Sequence, residues 1–439
     1  MRRSLSGPWR ALGLLAMAAA LAAAAPAPLT LERALERARA QQPTVLQAQA
    51  QAQQAQAQAE QARAGLLPGL NGTAGYSRST ANFVARPGQV PSQFLATRTS
   101  SLNSYGYYSL GLNANQLIYD FGQTPAVWGS ARAQAQAKTL TARATLVTVL
   151  YNVRSAYFAA LAARDVAAVA VQALANQERH LQQIEGFVRV GLRPDIDLLQ
   201  VRSERANARV QRIATDNDYA TKRALLDQAM GWTGDPDAAL ADASMAPIVE
   251  EAAALEVLVQ EALATQPAYA ALEAQVASQT LTVRAAQRNF LPNLAASAGL
   301  TDAGRELDRL TWNWSAGISL TWPLFSGGAS LAQLHQAEAL LRGLEAQRQG
   351  LTQSVHVAVL QARLAVQAGL GTLVAAEESR DNADARLRLA MGRYAAQVGN
   401  IIELEDAQLA RGQAAVQAVQ ATYGLATARA QLLSALGRE

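Results

Sequence analysis

Two carboxylates at matched places in the sequence are the residues best suited to act on a charged solute. Glu403 and Asp406 stand three apart in "IIELEDAQ", so a helix would carry both on one face. Asp197 holds the position corresponding to Glu403 in the stretch "PDIDLLQ". Read from spacing alone, they are an ordinary solvated helix face. Nothing comparable speaks for catalysis. His180, His335 and His356 are scattered without ligand partners at workable spacing, and "HQAE" at 335–338 is one weak match. The chain has no phosphate-binding glycine loop and no nucleophile elbow. Neither an enzyme nor a cofactor is expected.

Composition narrows the classes further. Of 439 residues, half are apolar and 16% are charged, with mean hydropathy near zero. A polytopic helical membrane protein would show several apolar runs of about 20 residues, whereas the only such run expected here is N-terminal. It begins with Arg2, Arg3 and Arg10, continues as Ala11–Ala25, and ends in small residues before prolines. That is the pattern of a secretory signal peptide over 1–25, with cleavage near Ala25 or Ala27. Removing it takes three of the 38 basic residues against 34 acidic ones, so the mature chain is close to neutral. The basic isoelectric point is therefore no sign of nucleic-acid binding. The absence of cysteine suits an exported chain without disulfides and leaves no thiol for an N-terminal lipid.

The elements that position the carboxylates are written twice. "LERALERARAQQP", ending at Pro43, matches "LEVLVQEALATQP", ending at Pro267, and "LLPGLNGTAGY" matches "FLPNLAASAGL". At a second constant offset "SLGLNANQLIYDFG" lies on "SAGISLTWPLFSGG", and the match continues to "LLDQAMG" on "QLLSALG". The change of offset puts the extra length of the first copy between Tyr76 and Ser109. That segment, with Arg78, Arg86, Pro87, Pro91 and Arg98, is expected to be a longer loop. The copies run over 31–231 and 255–437, joined by 232–254. Each reads helix, strand, loop, strand, long helix, turn, helix. One helix is expected over about 31–65, where alanine and glutamine propensity overrides the strand-like alternation. A long helix is expected from a Thr124 cap to about Arg189, roughly 90 Å at 1.5 Å per residue. Leu146, Val149, Val153, Ala156 and Ala160 mark its buried stripe. Gly191 and Pro194 would end it, with Asp195 capping the next helix.

The strands alternate in a telling way. Trp312, Trp314, Ala316, Ile318, Leu320 and Trp322 fall on one face, with Asn313, Ser315, Gly317, Ser319 and Thr321 on the other. Leu294 to Leu300, Leu70 to Tyr76 and Tyr108 to Ala114 repeat the pattern. An apolar face and a small, polar face over about ten residues, with aromatics near the ends, describe a membrane-spanning strand. Tyr76, Tyr108, Trp312, Trp314 and Trp322 are the expected membrane-facing aromatics. Four strands cannot close a barrel in lipid, so closure requires several copies.

This pattern resembles the TolC-type outer membrane efflux proteins across about 30–437. The motifs that carry it are the helix openings ending in Pro43 and Pro267 and the pairs "LP" at 67–68 and 291–292. To these are added "YDFG" against "PLFSGG" and the tips "GFVRVGLRPDIDLLQVR" and "GRYAAQVGNIIELEDAQ". The resemblance implies a mostly α protein with a membrane β part, a homotrimer with a 12-stranded barrel continuing into a 12-helix periplasmic tunnel. It implies an outer membrane duct for efflux or type I secretion, serving a periplasmic adaptor and an inner-membrane pump of RND, MFS or ABC type. A coiled-coil periplasmic adaptor without a barrel is the alternative. It places the barrel-to-helix junction at Tyr119, Asp120, Phe121 and Gly122, and at Pro323, Phe325, Gly327 and Gly328. It places the periplasmic gate at Asp197, Tyr394, Glu403 and Asp406. The family's gate arginine falls on Gly399 and a usual glycine on Gln397, so the closing network differs here.

Overall fold

The computed structural model describes residues 28–80, 102–232, 239–249, 251–396 and 398–439. The expected signal peptide, the loop residues Arg86, Pro87, Pro91 and Arg98, and Gln397 lie outside the described residues. The elements are α1 (Leu31–Gln41), α2 (Pro43–Ala64), β1 (Gly69–Thr80), β2 (Ser104–Tyr119), α3 (Gln123–Arg189) and α4 (Asp195–Met230). They are followed by α5 (Leu255–Thr265), α6 (Pro267–Arg288), β3 (Asn293–Gly304), β4 (Thr311–Thr321), α7 (Ala329–Ala395) and α8 (Ile401–Ala435).

The chain divides into two compact units. One holds the described residues up to Ala50 together with Leu140–Ala270 and Gly350–Glu439, and is all helix and connections. Its core packs Val149, Val153, Tyr157, Phe158 and Leu161 of α3 against Ala34 and Ala38 of α1 and Leu226 and Met230 of α4. Burying side chains of this size stabilises by about 1.5–3 kcal/mol each. A second cluster joins Leu258 and Ala262 of α5 to Val355, Val359, Ala362 and Val366 of α7 and Leu432 of α8. Leu29 and Leu240 form a parallel bridge, and the Tyr157 hydroxyl lies 2.8 Å from the Leu29 carbonyl and 2.7 Å from that of Ala241. The connection between the copies is held by Arg429, whose guanidinium meets the Glu251 carboxylate at 3.0 and 3.2 Å and donates to the Met245 carbonyl.

The expected helix over 31–65 is two helices. Pro43 disfavours helical geometry in the residue before it, and Gln42 is extended (ψ 119°). The break is used: the Gln42 side-chain amide donates to the carbonyls of Gln228 and Ala229 in the last turn of α4. Gly231, with φ 69°, lies so close to the break that a Cβ there would meet the Gln42 Cα at 2.7 Å. Gly437 meets Gln266 in the same way, with φ 71°. The glycines that close "LLDQAMG" and "QLLSALG" are therefore steric requirements of the two breaks.

Two further expectations are corrected. The long helix begins at Gln123 rather than after a Thr124 cap, because the Asp120 carboxylate accepts from the Thr124 amide at 2.6 Å and the Gly122 amide at 3.0 Å. Asp195 is inside α4, and Pro194 holds the cap position with no side-chain bond. The N-terminal run is also not the only apolar one. α3 and α7, 67 residues each, both contain an 18-residue window of mean hydropathy 1.5. On the single chain 39% of the α3 window and 17% of the α7 window is buried, so most of each is not.

The other unit holds Gln51–Thr139 and Ala271–Gln349. Its four strands form one antiparallel sheet in the order β1-β2-β3-β4, so β1 and β4 are edges. Register aligns the two faces across all strands. Leu70, Ala114, Ala298 and Ala316 share one row, and Gly72, Leu112, Leu300 and Trp314 the next. The opposite face carries rows such as Asn71, Asn113, Gly299 and Ser315. A register shift between Leu117 and Tyr119 adds a residue to β2, and Tyr119 pairs with Leu294 on the apolar face. Without that bulge, strand alternation would put Tyr119 on the polar side.

Candidate functional site

The gate residues expected from the sequence gather where α3 turns into α4 and α7 into α8. Gly191 (φ 76°) reverses the first turn, with the Leu192 amide donating to the Phe187 carbonyl. In the second turn Asn400 caps α8, its side-chain oxygen accepting from the Glu403 amide at 2.7 Å. Ile184, Val201, Ala390, Leu404 and Ala407 pack beneath the turns with Tyr394, which is 7% exposed. Leu404 and Ala407 take the buried side of α8, and Asp406 is exposed.

Tyr394 is an inner residue rather than a surface one. The Arg193 guanidinium lies 5.2 Å from its ring centre, the His180 ring stands edge-on at 5.9 Å, and its hydroxyl has no partner among the described residues. Burial pushes the Tyr394 hydroxyl above its ordinary pKa; Arg193 opposes this, while Asp197 and Glu405 add to it. Asp197 itself is 3.8 Å from Arg193. Glu403 is engaged by Arg393 at 3.1 Å. The two carboxylates expected to act alike are thus unlike: Glu403 has a cation beside it and Asp406 has none in the described ion pairs.

Sequence reasoning missed Arg193, Arg393, Asn400, His180 and Glu405. Only Asn400 carried a readable signal, as an asparagine three residues before an acid at a helix start. Burial, then Glu204, push the Glu405 carboxyl above the ordinary range, with Gln200 opposing and Asp406 and Asp197 adding to the rise. Burial depresses the pKa of His180, whose Nε2 has no partner among the described residues. A base with a depressed folded pKa stabilises the fold above its ordinary value of 6.5 and loses that contribution as pH falls below it. The turns should therefore loosen between pH 7.5 and about 5.5, and H180F should remove most of that change. Hydrogen exchange of the turn amides at the two pH values is the check; identical acid sensitivity in H180F would refute it.

The junction residues sit at the start of α3 and α7. Phe121 has φ 57° and Gly122 φ 83°, and the Arg288 guanidinium donates to the Gly122 carbonyl at 2.6 Å. Burial alone would raise the Asp120 pKa, but bonds from Thr124, Gly122 and Gln123 outweigh it and hold the carboxyl below its ordinary value. The Tyr119 and Phe121 rings meet tilted at 58°, with their centres 4.9 Å apart. In the second copy Pro323 leads into an 89% exposed Phe325, with Gly327 and Gly328 at φ 63° and 85°. Ser326 accepts from the Ser330 amide, so it does for α7 what Asp120 does for α3. Of the aromatics, Tyr76 and Tyr108 are cross-strand neighbours 4.8 Å apart, and Trp312 and Trp314 are 68% and 65% exposed. Trp322 lies just past β4 and donates to the Phe290 carbonyl.

The profile of the outer membrane efflux protein family covers residues 34–232 and 258–438. The chain belongs to that family. It is 25% identical over 340 residues to outer membrane efflux protein BepC of Brucella suis, covering 75% of this chain and 72% of BepC. It is 24% identical over 382 residues to the probable efflux pump outer membrane protein SepC of Pseudomonas putida, covering 85% and 76%. Among solved structures, the CmeC outer membrane channel of Campylobacter jejuni superposes with TM-score 0.81 at 17% identity, covering 93% of this chain and 85% of CmeC. The protein is an outer membrane efflux channel that extends into the periplasm, a passive duct rather than an enzyme. The sheet's apolar face, which carries the tryptophans, and its small, polar face are the two sides that a membrane-spanning strand distinguishes.

Proposed function

We propose that three copies close into one duct, with a 12-stranded barrel above and a 12-helix tunnel below, built from two copies of one unit per chain (31–231 and 255–437). The observation that carries this reading is the single four-stranded sheet with open edges at β1 and β4. Lipid cannot satisfy those edge amides and carbonyls, so they must pair with another copy. The equal lengths of α3 and α7, and of α2 and α6, support the doubled unit. Asp197, Tyr394, Glu403 and Asp406 form the gate at the periplasmic end, where threefold symmetry would turn each carboxylate into a ring.

The duct takes its cargo from an adaptor and an inner-membrane pump that dock at the two turns. Val190, Leu192, Ile196, Val398 and Ile402 are each more than 60% exposed there, a surface with no other evident use on this chain. Membrane fractionation and crosslinking between cysteines placed on the β1 and β4 edges test the reading. The expected result is an outer membrane protein crosslinked into trimers. A monomer in the soluble periplasm would overturn it.

A further inference from the structure

At the loop end of the sheet the Arg305 guanidinium lies 4.8 Å from the centre of the Tyr105 ring. Tyr105 pairs with Ser79 and shares its face with Tyr107 and Ser109, the small and polar side of the strands. Arg305 follows β3 by one residue, in phase with Thr301 and Ala303 on that same side. It is therefore held toward the lumen. The acids near it are otherwise placed. Asp302 is on the opposite face, between Leu110 and Trp312, and Glu306 is engaged by Arg309 at 3.6 Å. Asp308 is exposed in the turn and makes no described ion pair with Arg305. The segment 69–119 adds Arg78, Arg86 and Arg98 and contains no acid, against two arginines and three acids in 293–321. Over the two segments together the sequence carries five arginines and three acids.

We infer that Arg305, seated on Tyr105 and repeated around the ring, forms a collar at the extracellular mouth that binds soluble multivalent anions bearing phosphate or sulfate groups. The inference rests on the duct reading above. An aromatic face holds the guanidinium without neutralising it, and the planar fork matches phosphate oxygens in pairs. Several such cations around one lumen add their attraction for an anion that carries several charges.

Single-channel recordings with inorganic pyrophosphate added to either side test it, using R305Q, Y105L and the control R78Q. Arg78 lies on the lipid face and donates to the Ser104 hydroxyl. The expected result is block from the extracellular side only, weakened about fivefold or more in R305Q and less in Y105L, with R78Q within about twofold of the parent. Equal block in the parent and R305Q, or an equal loss in R78Q, would overturn the collar. A chain that opens no channel overturns the duct reading and the collar with it. Channels with unchanged pyrophosphate block overturn the collar alone.

Discussion

Removing Asp406 is expected to weaken block of the channel by divalent cations about tenfold, and removing Glu403 much less. Coulomb attraction scales with the net charge a cation meets, and Glu403 already has the Arg393 guanidinium at 3.1 Å. Asp406 is exposed on the next turn of α8 and is not so compensated. The double variant E403A/D406A should also conduct better, because the proposed gate then loses two carboxylates per chain that would hold cations. R393A should act the other way and tighten block, by releasing the charge of Glu403. Bilayer recordings with a divalent cation on the periplasmic side give all four values. Equal effects of E403A and D406A would show that the ion pair with Arg393 is not maintained in the assembled channel.

R429A is expected to be the most damaging single change in the helical unit, at about 3–5 kcal/mol. Arg429 and Glu251 are almost wholly enclosed, with side chains 11% and 13% exposed, and the guanidinium also holds the Met245 carbonyl. Among the described residues, alanine would leave the Glu251 carboxylate with the Ile248 amide alone, a buried charge without its counterion. Adding E251A to R429A should recover part of the loss, since the stranded charge goes with it. Denaturant unfolding of the detergent-solubilised protein measures both. A loss below about 1 kcal/mol in R429A would mean that water reaches the pair.

What could be read from the sequence depended on range. Strand faces have a period of two, so Trp312, Trp314 and Leu300 declared their common side without knowledge of partners, and register then aligned them. The matched copies are what suggest the proposed doubled unit, because similarity survives where contacts cannot be seen. Local competition was harder. Thr124-Pro125 reads as a helix start, yet Asp120, four residues earlier, reaches the free amides first. The matched copy held the clue, since Ser326 stands at the equivalent position. The break at Gln42 was hidden because alanine and glutamine favour helix on both sides of Pro43. At the turns, Arg193, His180 and Glu405 acquire their roles from four helices that meet only in the fold. No spacing along the chain connects His180 to Tyr394.

The order of the strands has a consequence for how the channel comes into being. A lone chain has two open sheet edges, β1 and β4. Two separate chains expose four edges, and a joined pair exposes two. The third copy then covers four in one step, the pair's two and its own two, and leaves none. That last step gains two junctions for the loss of one chain's freedom, so pairs should be scarce beside complete rings. Assembly should therefore pass from separate chains to the complete ring with hardly any pairs in between, a cooperativity that comes from the geometry of a sheet whose ends are complementary only to each other.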